Sequence, residues 1–284
     1  MKEIIENIKN YYLEAEGAYR NWGKDEEREG VYALHAGFTV EGRELSHYQE
    51  VKELTGQLID FAQIPPQALV LDAGCGTGAL TFELASKRPD VTIIGVNIAH
   101  NQLASAEAYR RQISEKRTLF SCQDYHHLAF PDELFDVVIF CESYIHSYDK
   151  RMLMEEVFRV LKQGGEIVLS DMFLKRSPVG KVEDTLLKRI KNGWCIPTIL
   201  KTEELENIWK TTGFAHFLFI EYTQNILESS RRMSEHALVR ISQGDPGSEI
   251  LRRSRRAPIA CHQAIKNGLI GYYFGKAKKP SKID

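Results

Sequence analysis

The stretch Ala68-Leu69-Val70-Leu71-Asp72-Ala73-Gly74-Cys75-Gly76-Thr77-Gly78 constrains this chain more than any other. A short apolar run ends in an acid, three alternating glycines turn the chain, and ALTFELASK (79–87) follows with helical character. Glycines let a backbone approach a ligand closely, and a helix N-terminus presents N–H groups that no intrahelical carbonyl takes. Gly74, Gly76 and Ala79 also satisfy the loose dinucleotide pattern G-x-G-x-x-G/A, so this element alone leaves its ligand open. Asp72 weighs against a pyrophosphate, because a carboxylate beside the loop repels one and attracts a cation.

Downstream, short apolar runs alternate with helices. VTIIGV (91–96), TLFSC (118–122) and FDVVIFC (135–141) read as strands, and EIVLSDMF (166–173) as another after the Gly164-Gly165 turn. Between them lie HNQLASAEAYRRQI and RMLMEEVFRVLK, both helical. Near-continuous apolar strands separated by helices indicate a parallel sheet buried on both faces. The fold class expected is doubly wound, mostly parallel α/β.

Upstream, residues 3–20 form an aromatic, helix-compatible stretch with Tyr11, Tyr12 and Tyr19, followed by Trp22. Glu44 to Phe61 carries one apolar face at steps of three and four, and Pro65-Pro66 closes it. After Phe173, HFLFIEYT (216–223) and LIGYYFGKA (269–277) read as final strands, while 174–210 and 224–266 read as additions that cover a site. The division expected is a helical lid with its following helix over 1–62, the core over 63–173, and a cap with the last strands over 174–284.

The net charge of −2 lacks the basic footprint of a general nucleic-acid binder. No apolar run reaches the roughly 18 residues that span a bilayer. MKEIIENIKNYYLEAEG lacks the basic start and apolar centre of a secretory signal, so a cytoplasmic location is expected. Five scattered cysteines without C-x-x-C spacing, and His126-His127 without a third ligand, suggest neither a disulfide framework nor a metal site. A small-molecule substrate is the partner expected, and exchange of a detachable lid helix leaves a homo-oligomer open.

Residues 65–173 resemble the class I S-adenosylmethionine-dependent methyltransferases, by several motifs in the family's order. The resemblance implies S-adenosyl-L-methionine as cofactor, with Asp72, Gly74 and Gly76 around its methionine half. Where that family has an acid after the second strand, this chain has Asn97-Ile98. Asparagine can still bond a ribose hydroxyl, without charge assistance. Gly95-Val96-Asn97-Ile98 with Gln102 resembles a subset in which the glutamine also approaches the cofactor, although an ordinary helix-start glutamine is the plainer reading. Asp124 and Tyr125 resemble the segment that reads the adenine amino group; the plainer alternative is that Asp124 caps a loop.

The end of the fourth strand, Cys141-Glu142-Ser143-Tyr144-Ile145-His146, lies where doubly wound folds bind ligands. Cys141 is expected beside the cofactor. Glu142-Ser-x-x-His146 resembles C-methyltransferases acting on alkenes: sterol, prenyl-diphosphate and teleocidin-type terpenoid enzymes, and cyclopropane fatty-acid synthases. Such chemistry develops a carbocation, which calls for a carboxylate and a base. Glu142 and His146 are therefore the expected catalytic pair. The N-Y-Y…Y-R-N-W-G stretch and Leu34-His35-Ala36-Gly37-Phe38 resemble that subset's aromatic lid, making Tyr19 a catalytic candidate and Trp22 and His35 substrate-pocket candidates. The rivals are N- or O-methylation of a polar metabolite, and a nucleotide-binding module without methyltransferase activity.

Overall fold

The structure, a computed structural model, describes residues 2–281. Seven strands form one sheet: β1 (Leu69–Ala73), β2 (Thr92–Asn97), β3 (Thr118–Cys122), β4 (Phe135–Cys141), β5 (Leu161–Leu174), β6 (Ala215–Glu221) and β7 (Ile270–Lys278). Their order is β3-β2-β1-β4-β5-β7-β6. β1 to β5 pair in parallel, and β7 lies antiparallel between β5 and β6. The order reverses between β1 and β4, so a crevice opens at the carboxyl ends of those two strands. Asp72 and Glu142 stand on either side of it.

β4 shows why the apolar runs read as strands. Successive side chains point to opposite faces. Val137 and Ile139 join a core with Leu54 and Leu58, whereas Val138 and Phe140 join another with Leu153, Val157 and Trp209. A strand covered on both faces has no place for the polar alternation of a half-exposed one.

The helices are α1 (Lys2–Trp22), α2 (His47–Ala62), α3 (Ala79–Lys87), α4 (His100–Gln112), α5 (Lys150–Val160), α6 (Gly180–Gly193), α7 (Thr202–Thr212), α8 (Thr223–Ser242) and α9 (Glu249–Lys266). Ser46 caps α2 in a reciprocal pair with Gln49, and Gln63 ends it in the left-handed region, φ 48°, before the prolines. All seven strands lie between residues 69 and 278, so α1 and the loop behind it add none.

One assignment changes. The 174–210 stretch was expected to cover the site, but α7, which begins inside it, flanks the sheet instead. Trp209 of α7 is fully buried, donates to Met154 Sδ of α5 at 3.1 Å and stacks on Phe219 of β6 at 5.0 Å. The cover is built by α6, α8 and α9, joined to the N-terminal loop. Asn225 and Thr39 exchange backbone and side-chain bonds there, and the Gly37 amide donates to Ser229 Oγ at 2.7 Å.

Candidate active site

The loop after β1 is held tightly against its surroundings. The Gly74 and Cys75 amides both donate to the Val96 carbonyl of β2. Gly74 has φ +87°, and a Cβ there would lie 2.5 Å from that of Ser143, at the end of β4. Only glycine combines that backbone conformation with that approach. The loop and the end of β4 therefore meet across the crevice.

A cavity of about 550 Å³ opens beside this loop. Its wall includes Gly74, Gly76, Asn97, Ile98, Gln102, Asp124 and Tyr125, drawn together from the β1–α3, β2–α4 and β3–β4 connections. Asn97 Oδ1 accepts from the Ile98 amide, and its Nδ2 donates to Gln102 Oε1 at 2.7 Å. That leaves Gln102 Nε2 buried with no partner. An unpartnered buried donor is costly unless a ligand takes it. Asp124 is braced rather than free: its Oδ1 accepts from the His126 amide and Nδ1, and its Oδ2 from Tyr148 OH. Burial works to raise its carboxyl, but the bonds from His126 outweigh that and hold it low. It stays an acceptor at neutral pH.

Two of the expected cofactor contacts are absent from this wall. Asp72 is buried beneath the loop, where its Oδ2 accepts from Thr81 Oγ1 at 2.6 Å and ties β1 to α3. Burial pushes its carboxyl up to about 7, against that bond. Cys141 likewise faces inward, its sulfur accepting from Ser170 Oγ of β5. Strand alternation is the reason: both belong to positions that point into the sheet's flanking layers.

A second cavity, about 790 Å³, lies beyond the first, and Tyr12, Leu34 and His146 line both. Its wall is largely apolar and aromatic, including Tyr19, Ile145, Met172, Trp194, Ile226 and Met233. Glu142 and Asp171 are its two carboxyls. Glu142 has φ +49°, and its Oε1 accepts from the Ala36 amide and from Tyr272 OH, each at 2.9 Å. Burial, with Asp171 nearby, pushes Glu142 up to about 7 against those two bonds. His146 is held down to about 4 by burial and by the Lys150 charge, so its ring is neutral. Its Nδ1 is buried without a partner, and Tyr12 meets the ring edge-on at 5.6 Å. Tyr19 OH bonds to Tyr11 OH.

The two pocket candidates fall elsewhere. His35 is buried outside both cavities: its Nδ1–H donates to the Ala36 carbonyl, and its Nε2 accepts from Thr55 of α2. With both nitrogens satisfied it fastens the N-terminal loop. Trp22 packs on His47 at 4.1 Å and lines an outer hollow between α1, α8 and α9. The sequence reading missed Tyr12, Leu34, Asp171 and Tyr272. Asp171 carried a readable signal, an acid near the end of an apolar strand like Asp72 and Glu142. Tyr272, inside an antiparallel strand, carried none. Ile5, Ile8 and Tyr12 also show that α1 covers the cavity beside the glycine loop as well as the inner one.

A family model described as a methyltransferase domain matches residues 66–213, more than half of the chain. The chain belongs to the methyltransferase-domain family. The expected enzyme class, and S-adenosylmethionine as its methyl donor, follow from that membership. Among curated relatives, methyltransferase GfsG of Streptomyces halstedii is 30% identical over 61% of this chain, a match spanning 62% of GfsG. O-methyltransferase resE of Aspergillus sclerotiorum is 26% identical over 74% of this chain and 75% of its own length. Geranyl diphosphate methyltransferase, solved with GPP and sinefungin, superposes with a TM-score of 0.76 over 98% of this chain and 99% of its own. At 15% identity that likeness shows the shared fold.

Proposed function

We propose that this methyltransferase acts on an alkene carbon of a small, largely apolar substrate, of isoprenoid type above all. The supporting observation is the inner cavity: apolar and aromatic walls, a carboxyl at Glu142, and a junction with the cofactor cavity at Tyr12, Leu34 and His146. An alkene offers no strong hydrogen-bonding group, so shape and apolar contact must hold it.

S-adenosylmethionine, when bound, supplies an electrophilic methyl group and a positive charge. Gln102 Nε2 would donate to its ribose, Asp124 and Tyr125 would face its adenine, and Gly74 and Gly76 would let the backbone approach it. The walls of the inner cavity align the alkene with the junction and exclude water. As positive charge develops on the substrate, the Glu142 carboxylate offsets it. The rings of Tyr12, Tyr19 and Trp194 add about 0.5–2 kcal/mol each where they face the cation. A proton beside a carbocation is very acidic, so even His146, at about 4, can accept it and pass it on to Glu142.

A second reading, transfer to oxygen of a small metabolite, is favoured by the relation to resE, named an O-methyltransferase. One experiment separates the two. The protein is incubated with S-adenosylmethionine and a panel of isoprenoid alkenes, phenols, carboxylic acids and amines. Products are found by mass, and the new methyl is located by carbon NMR. A methyl on carbon supports the proposal; products carrying it only on oxygen or nitrogen overturn it.

A further inference from the structure

Lys150 occupies a place where a lysine is expensive. It is the first residue of α5, 8% exposed, and so puts an ammonium at the positive end of a helix dipole with little water around it. An apolar side chain would fill the same space without that cost. What the lysine has there is the backbone of one short segment, the single 3₁₀ turn Tyr144–His146. Its Nζ donates to the Tyr144 carbonyl at 2.7 Å and the Ile145 carbonyl at 2.8 Å, and lies over the Tyr144 ring at 4.5 Å.

The same turn is gripped from the opposite side. Asp171, 1% exposed on β5, accepts from the Ile145 amide through Oδ2 at 2.8 Å and from the Met172 amide through Oδ1 at 2.9 Å. Just before the turn, Ser143 Oγ donates to the Ala73 carbonyl of β1. The turn's carbonyls thus meet the Lys150 amine, one of its amides meets the Asp171 carboxyl, and its start is tied to the end of β1. Burial lowers the lysine and raises the acid, and each draws the other back toward its charged form. Its last residue is His146, which lines both cavities. Lys150 lines neither.

We propose that Lys150 is a positioning residue: with Asp171 it clamps the Tyr144–His146 turn so that His146 stands at the junction of the cofactor and substrate cavities. Acting on two carbonyls at once, the ammonium fixes the direction of the peptide planes that lead into His146. A side chain without donors would leave both carbonyls short of a partner and let the turn rotate. A displacement of about 1 Å at a reacting group can cost on the order of 10²-fold in rate.

This rests on the reading that His146 takes part in transfer, and the test keeps the two claims apart. Lys150→Met keeps the length and removes the donors and charge; should it not fold, Lys150→Gln, which keeps a donor, takes its place. Three quantities are measured on the whole protein: S-adenosylhomocysteine affinity, kcat and KM for the substrate found above, and titration of the His146 ring by NMR, assigned against His146→Ala. The titratable groups that share the two cavities with His146 are Tyr12 and Tyr19 of α1, Glu142, Asp171 of β5, Cys261 of α9 and Tyr272 of β7 on one side, and Asp124, Tyr125, His126 and Tyr148 on the other; the Cys195 backbone also bonds to the ring. The Lys150 charge is what joins burial in holding the ring low, against the bond from the Cys195 backbone, so its loss shifts the ring upward. The clamp predicts kcat lower by on the order of 10²-fold, KM and cofactor affinity nearly unchanged, and His146 titrating at higher pH. Normal kcat with unchanged His146 titration overturns it. So does a loss that follows the fall in Tm while the ring titrates as before, because that is a merely structural role. If His146→Ala is fully active, the catalytic reading of His146 fails, and the clamp is then judged on whether the His146 ring keeps its edge-on contact with Tyr12 in Lys150→Met, read by NOE: a kept contact overturns it.

Discussion

The Ala36 amide donates to Glu142 Oε1 at 2.9 Å, so a backbone group of the N-terminal loop closes onto the side chain that ends β4. Those residues lie 106 positions apart in sequence. Because one carboxyl oxygen both latches the loop and, with Tyr272 OH, borders the inner cavity, loop closure and the proposed chemistry would be joined in Glu142.

Charge and latch separate on substitution. Glu142→Gln keeps an oxygen for the Ala36 amide but loses charge and basicity. Turnover should fall by about 10²–10⁴-fold, the usual cost of removing a positioned base, while S-adenosylhomocysteine affinity and proteolytic resistance of residues 1–40 stay close to those of the parent. Kinetics, calorimetry and limited proteolysis on one preparation check this. A turnover loss explained wholly by weaker cofactor binding would reduce Glu142 to a cofactor residue.

The pH dependence follows from the same group. Burial raises Glu142 from the ordinary 4.5 to about 7, so between those values the folded chain holds a proton that the unfolded chain has released. Its contribution to stability is therefore fully present below about 4.5 and lost as pH rises to about 7. Activity moves the opposite way, rising through about 7 as the carboxylate forms. Tm against pH for the parent and Glu142→Gln should show a shallower fall in the variant. Parallel curves would mean that Glu142 does not titrate in that window.

Gln102 tests the cofactor cavity independently of the reaction. Gln102→Leu removes the acceptor of Asn97 Nδ2 and the unpartnered Nε2 donor. A hydrogen bond to a neutral group contributes about 0.5–1.5 kcal/mol, so S-adenosylhomocysteine should bind roughly 3–10-fold more weakly. Calorimetry showing unchanged affinity would leave Nε2 without a ligand.

The first helix should serve both cavities. Removing residues 1–23 takes away Ile5, Ile8 and Tyr12 from one wall, and Tyr12 and Tyr19 from the other. The truncated protein should lose turnover and bind S-adenosylhomocysteine distinctly more weakly. Intact cofactor affinity would confine α1 to the substrate side.

Local pattern sufficed for the sheet and for most of the cofactor wall. An apolar strand, three glycines and a helix are contiguous in sequence, and their geometry follows from backbone sterics and alternation. Asn97, Gln102 and Asp124 are singled out by resemblance to the methyltransferase family; Asn97 ends β2, Gln102 lies in the first turn of α4 and Asp124 follows β3. The tertiary structure decided what depends on which layer a side chain enters and what meets it there. It turned Asp72 toward Thr81 and away from the cavity, satisfied both nitrogens of His35, and left Trp22 outside. It brought Tyr12, Glu142, Asp171 and Tyr272, from four distant segments, to one wall. Side-chain roles of that kind come from contacts between segments far apart in the chain, and those contacts exist only once the sheet, lid and cap have packed together.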